Sequence, residues 1–155
     1  MKIELEVAQA LINQKKTLAI AESCSGGLLS HRLTNIPGSS AYFIAGIVTY
    51  SNLAKEKLVK VPPSLIKKFG AVSYQTAAQM AKDVRALFKT DFGISITGIA
   101  GPTVGTISKP VGVTFIAVST DEETLCLGCR FKGSRAAIKN AAATQALDLL
   151  YDFLT

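Results

Sequence analysis

The longest apolar runs in this chain are about one β-strand long, and the segments between them carry helical spacing. Runs that short do not span a membrane. Their alternation with helix-length segments leads to a layered α/β fold. Residues 3–14 place Ile3, Leu5, Val7, Ala8, Leu11 and Ile12 on one helical face. Residues 17–21 predict a short buried strand that runs into Glu22-Ser23-Cys24-Ser25-Gly26-Gly27, and helical spacing resumes over 28–33. Further strands are predicted over 43–50, 92–99, 111–119 and 124–131. Helices are predicted over 52–59, 64–69 and 74–89, and after Ser134. Helices at both ends and between strands predict a three-layer α/β/α sandwich. Its sheet is expected to be mixed, mostly parallel and about five strands wide.

The 155 residues make one domain, 1–155, with room for a core. With 48% hydrophobic residues and no Trp, small and aliphatic side chains must do the packing. The amphipathic, acid-bearing N-terminus is not a signal peptide, so a soluble cytoplasmic protein is expected. The formal charge is +6, with lysines scattered in pairs and no aromatic-interleaved basic stripe. That pattern suits a solvated face or small anionic ligands, and a nucleic-acid surface is not expected. Cys126 and Cys129 have redox or metal spacing, but on a strand residues three apart point to opposite faces. No second pair supplies the ligands zinc needs, so no metal and no cofactor are expected. The chain is compatible with a homo-oligomer.

The stretch 36–57 concentrates the chemistry. A Pro37-Gly38 turn delivers Ser39 and Ser40, and an apolar strand read as central follows. Tyr50, Ser51, Asn52 and Lys55 stand at its far end. These are the parts of a Ser–Lys hydrolase, with a neutral lysine as base. The alternative is a snorkelling lysine, a packing tyrosine and turn serines. The only histidine, His31, stands seven positions from Cys24, about 10 Å along a helix, which is too far for a dyad. The small-residue turn 22–27 reads equally as an anion site at a helix N-terminus or as an ordinary cap by Ser23 or Ser25.

Five blocks in order change the weighting. They are Ala21-Glu22-Ser23-Cys24-Ser25-Gly26-Gly27 with Gly38-Ser39-Ser40, then 48–55, 70–73, 95–102 and 109–112. Together they resemble the CinA carboxy-terminal family, the nicotinamide-nucleotide amidases or competence/damage-inducible proteins. The resemblance implies a three-layer α/β/α sandwich and hydrolysis of nicotinamide mononucleotide to nicotinate mononucleotide and ammonia. It implies Ser40 as catalytic serine, with Tyr50 and Lys55. Backbone N–H groups near 39–41 or in the Gly98 loop would hold the oxyanion. The phosphate is expected on Ser25, Gly26 and Gly27 or in the loop 98–106. Thr97, Gly98, Gly101 and Arg135 complete the expected substrate-binding set. Ser25 replaces the family's usual threonine, and Val104 stands where glycine is common. The N-terminal pyrophosphatase-like domain of longer relatives is expected to be absent. A nucleotide-binding regulatory module without turnover is the alternative function.

Overall fold

The computed structural model describes residues 2–103 and 105–155. Val104, singled out above, lies outside them. Six helices flank a sheet of five strands: α1 (Lys2–Gln14), β1 (Leu18–Glu22), α2 (Leu28–Thr34), β2 (Phe43–Val48), α3 (Asn52–Leu58), α4 (Pro63–Phe69), α5 (Tyr74–Phe88), β3 (Phe92–Gly98), β4 (Val113–Ser119), β5 (Thr124–Arg130) and α6 (Arg135–Leu154). A single 3₁₀ turn, Ser39–Ala41, precedes β2. The predicted elements all form, with ends shifted by a residue or two.

Strand order is β2-β1-β3-β4-β5. β1 pairs in parallel with β2 and β3, while β4 runs antiparallel to both β3 and β5. Four strands therefore share one direction and β4 opposes them, which is the mixed sheet expected. One expectation fails: β2 is an edge strand, not the centre of the sheet. Ile44, Gly46 and Val48 alternate out to solvent. A continuous apolar run looks buried on both faces by sequence pattern alone. The middle of the sheet is β3, which lies between β1 and β4 and is buried along all but its last residue.

The period of two along each strand sorts the core into two layers. Ile20, Ile94, Ile96, Ile116 and Val118 pack with Leu11 of α1, Leu29 and Leu33 of α2, and Ala142, Ala146, Leu147 and Leu150 of α6. On the other face Ala19 and Ala21 meet Val59, Val61, Ile66, and Met80 and Val84 of α5. Small residues let α5 approach the sheet closely. The Ser95 hydroxyl donates to the Ala77 carbonyl, and a Cβ at Gly93 would collide with the carbonyl oxygen of Ala81. Cys126 packs toward α5 and Cys129 toward α6, so the two thiols face opposite sides as the strand geometry requires.

The helices also decide where a ligand can enter. The crossover from β1 to β2 runs through α2 on one face. The crossover from β2 back to β3 runs through α3 to α5, with α4 and α5 packed on the other face. The chain thus leaves the carboxyl ends of β1 and β2 toward opposite faces, and a crevice opens there. No helix among the described residues is long and apolar enough to cross a membrane.

Gly93 tests the close approach of α5. A methyl group there meets helix backbone, which cannot rotate away. Gly93→Ala should lower stability by roughly 1–3 kcal/mol, the usual cost of overpacking. Thermal unfolding reads this directly, and an unchanged midpoint would show that α5 is free to shift.

Candidate active site

Ser23 is the first residue after β1, and its N–H continues the ladder by donating to the Ile96 carbonyl. The N–H of Thr49, just past β2, donates to the Glu22 carbonyl. The carboxyl ends of β1, β2 and β3 are thereby locked side by side. From the end of β2 the chain turns into α3, where the Ser51 side chain caps the helix by accepting from the Ala54 N–H. The cap sets the helix phase, and one turn later Lys55 points back under the strand ends.

The Lys55 side chain is almost wholly buried, at 1% exposure. Its Nζ donates to the Thr49 carbonyl at 2.9 Å, to the Tyr50 carbonyl at 3.3 Å and to Ser23 Oγ at 3.0 Å. No carboxylate pairs with it among the described residues. Burial holds its pKa down at about 8. A neutral amine keeps two N–H groups and one lone pair. With the two N–H groups on the two carbonyls, the lone pair faces Ser23 Oγ. The arrangement can therefore take a proton from the Ser23 hydroxyl.

Ser23, Cys24, Tyr50, Gly98, Gly101 and Arg135 line a cleft of about 390 Å³ over this pair. Burial pushes the Cys24 thiol up to about 11, which disfavours its thiolate. Arg135 crosses the mouth, donating to the Gly101 carbonyl at 2.6 Å and to the Tyr50 hydroxyl at 2.9 Å. Gly98 must be small because a Cβ would crowd Thr114 and the Val113 carbonyl. A second hollow, about 290 Å³, lies beside Lys16, Asp91 and the β4–β5 turn and contains no nucleophile paired with a base. Among the described residues no cluster of His, Cys, Asp and Glu could hold a metal ion.

Several expected site residues fall elsewhere. Ser40 lies in the exposed 3₁₀ turn before β2, whereas Lys55 gathers at the other end of that strand. At about 3.3 Å per residue, the six-residue strand alone puts some 20 Å between them. Ser40 is therefore not the partner of Lys55; Ser23 is. The N–H groups of Ser39 and Ala41 close local turns at that same far end, so they form no oxyanion site beside Lys55. The Tyr50 phenol meets Arg135, and the residue orients Lys55 through its carbonyl rather than its ring. Thr97 gives its hydroxyl to the Ala71 carbonyl at 2.8 Å, which fixes the loop before α5 instead of facing a ligand. His31 is exposed beside Asn35, as its spacing implied.

The start of α2 already holds an anion of the chain itself. The buried Glu22 carboxylate accepts from the hydroxyls of Ser25 and Ser30 and from the N–H groups of Leu29 and Ser30. It occupies the N-terminus of α2 where a phosphate was expected. The remaining turn bonds are internal, with Gly26 N–H donating to the Ser23 carbonyl and Leu28 N–H to that of Ser25.

A three-layer α/β/α sheet with a buried serine–lysine pair at the carboxyl ends of its parallel strands defines the class. The family model for the CinA C-terminal domain matches residues 1–154, and the chain belongs to that family. A CinA-like protein of Syntrophus aciditrophicus is 50% identical over 153 residues, covering 98% of this chain and 36% of that protein. The chain thus spans about a third of the length of that curated relative. Among solved structures, the competence/damage inducible protein CihA from Agrobacterium tumefaciens is 37% identical, with a TM-score of 0.93 over 100% of this chain and 97% of that one. A competence-damaged protein (CinA) superfamily protein from Klebsiella pneumoniae gives 0.95 at 30% identity, over 99% and 96%.

The buried ammonium makes a stability prediction. The folded pKa of about 8 lies below the ordinary 10.5, so between those values the unfolded chain binds a proton the folded one lacks. Stability then rises with pH across that window. At about 1.4 kcal/mol per unit, the wild type should gain up to roughly 3 kcal/mol relative to Lys55→Met between pH 7 and 10.5. Urea unfolding of both proteins measures the gain. A constant difference between them would mean that the ammonium is well solvated.

Proposed function

We propose that this chain is an amidase that hydrolyses the carboxamide of nicotinamide mononucleotide, releasing ammonia and nicotinate mononucleotide. The contact between buried Lys55 and Ser23, at the floor of a cleft large enough for a pyridine ring, carries the reading. Membership of the CinA family supports it. Ser23 Oγ attacks the carboxamide carbon while neutral Lys55 takes the hydroxyl proton. The N–H groups of the turn after Ser23, at Cys24 and Ser25, would serve the developing oxyanion. The Lys55 ammonium returns its proton to the departing nitrogen, and ammonia leaves an acyl-serine. Lys55 then takes a proton from the water that attacks the ester and returns it to Ser23 Oγ as nicotinate mononucleotide leaves. Tyr50 and the segment 98–101 form the walls that hold the ring.

Ammonia release from nicotinamide mononucleotide is the direct assay. Ser23→Ala should lower kcat by about a thousandfold or more, in the range lost with other nucleophiles. Ser40→Ala should stay near wild type. An active Ser23 variant would remove the nucleophile from this account.

The pH profile tests the base. The rate should climb about tenfold per unit below the Lys55 pKa of about 8 and level off above it, because only the neutral amine accepts a proton. Lys55→Arg should be as inactive as Lys55→Ala, since guanidinium keeps its proton. Substantial turnover by the arginine variant would show that charge, not proton transfer, is what the position supplies.

A further inference from the structure

Glu22 fills the N-terminus of α2, so a phosphorylated substrate must place its charge elsewhere. Next to the catalytic cleft lies a second recess of about 410 Å³. Arg135 lines both, and Lys139 and Asn140 complete the polar side of the recess. Arg135 and Lys139 stand four positions apart on α6 and so share one helical face. Among the described residues no carboxylate lines this recess and neither cation takes part in an ion pair. Lys139 is half-buried rather than extended into solvent. Its Nζ lies 3.6 Å from the point where a Cβ of Gly26 would sit, against the turn that carries Ser23. Its charge also reaches the cleft, where it favours the Cys24 thiolate alongside Lys55.

We infer that Lys139, with Arg135, forms the anchor for the phosphomonoester of the substrate. The inference rests on the amidase reading for the identity of the whole substrate, but the anchor itself is a matter of charge and place. Ser23 and Gly26 are joined by a four-residue turn, so their Cα atoms lie within about 7 Å. Lys139 Nζ is then within roughly 12 Å of Ser23 Cα, a separation one nucleotide can bridge from carboxamide to phosphate. Arg135 has two N–H groups engaged by Gly101 and Tyr50, and a guanidinium has five. The others are free to meet a phosphate oxygen while Lys139 supplies the second charge. Gly26 gains a role here. It leaves the space that Lys139 uses rather than binding the phosphate through its own N–H, which is engaged by Ser23.

The test uses the wild type, Lys139→Ala and Lys139→Arg. Steady-state hydrolysis is measured on nicotinamide mononucleotide and on nicotinamide riboside, and calorimetry measures binding of ribose 5-phosphate. Loss of one charge-assisted contact should raise KM for the mononucleotide about tenfold or more in Lys139→Ala, with kcat within about twofold. Riboside kinetics should not move, Lys139→Arg should restore KM, and ribose 5-phosphate binding should weaken in parallel. An unchanged KM with unchanged ribose 5-phosphate binding would overturn the anchor while leaving the amidase intact. If the wild type releases no ammonia, the amidase reading fails, and the calorimetry alone decides the anchor. Weaker binding by Lys139→Ala then upholds it, and equal binding ends it.

Discussion

A buried carboxylate must find donors, and at Glu22 the search for them shapes the whole functional edge. Glu22 is the last residue of β1 and is 1% exposed. Four donors from Ser25, Leu29 and Ser30 surround it. An unsatisfied charge at that depth would cost several kcal/mol. The turn 23–27 has to curl so that the start of α2 faces back onto the strand it has just left. Ser23 sits inside that curl. Its position is set by a hydrogen-bond requirement one residue earlier, and this is why the turn is rich in small hydroxyls and glycines. The same bonds explain why the N–H groups of Leu29 and Ser30, in the first turn of α2, are already taken by an anion of the chain itself.

Lys55 presents the opposite problem. Among the described residues its ammonium has no counter-charge, and it is held by two carbonyls and a hydroxyl. Such a site disfavours the charged form, and the pKa falls accordingly. For the fold alone an apolar residue would serve as well at less desolvation cost. For proton transfer the same desolvation produces an amine that is partly neutral near physiological pH. This is local instability maintained at a functional centre, with rigidity supplied by the Ser51 cap and the parallel strand ends.

The fold was legible because short apolar runs and helical spacing alternate without ambiguity, and turn residues mark each boundary. Lys55 was legible too, since a cap at Ser51 implies a lysine facing back one turn later. The pairing of Ser23 with Lys55 is harder to see in the sequence, although its signal is present. In parallel α/β sheets ligands meet the carboxyl ends of strands. Ser23 follows β1, whereas Ser40 precedes β2 and so belongs to the opposite edge. The edge position of β2 was hidden for a different reason. Its residues are apolar throughout, and strand order depends on which crossover lies on which face, which no local pattern records. Lys139 carried no mark at all, because a lysine on a helix reads as solvated until its neighbours are known.

The width of the cleft depends on α6, the element most distant in sequence from Ser23. α6 packs through Ala142, Ala143 and Ala146 beside Leu147 and Leu150, so small side chains let it settle closely into the layer shared with α1 and α2. Close settling brings its first two turns alongside the turn 23–27. Ser134 caps the helix by accepting from Ala137 N–H, which fixes where Arg135 begins. Arg135 then joins Tyr50 on one wall to Gly101 on the other. Ser23 follows β1 and Lys55 comes from α3, while the cations come from the helix that closes over them. Packing of α6 therefore sets the distance between the reacting end and the charged end of any substrate. An enlarged residue among those alanines would move Arg135 and Lys139 away together, and would alter substrate binding without touching Ser23 or Lys55.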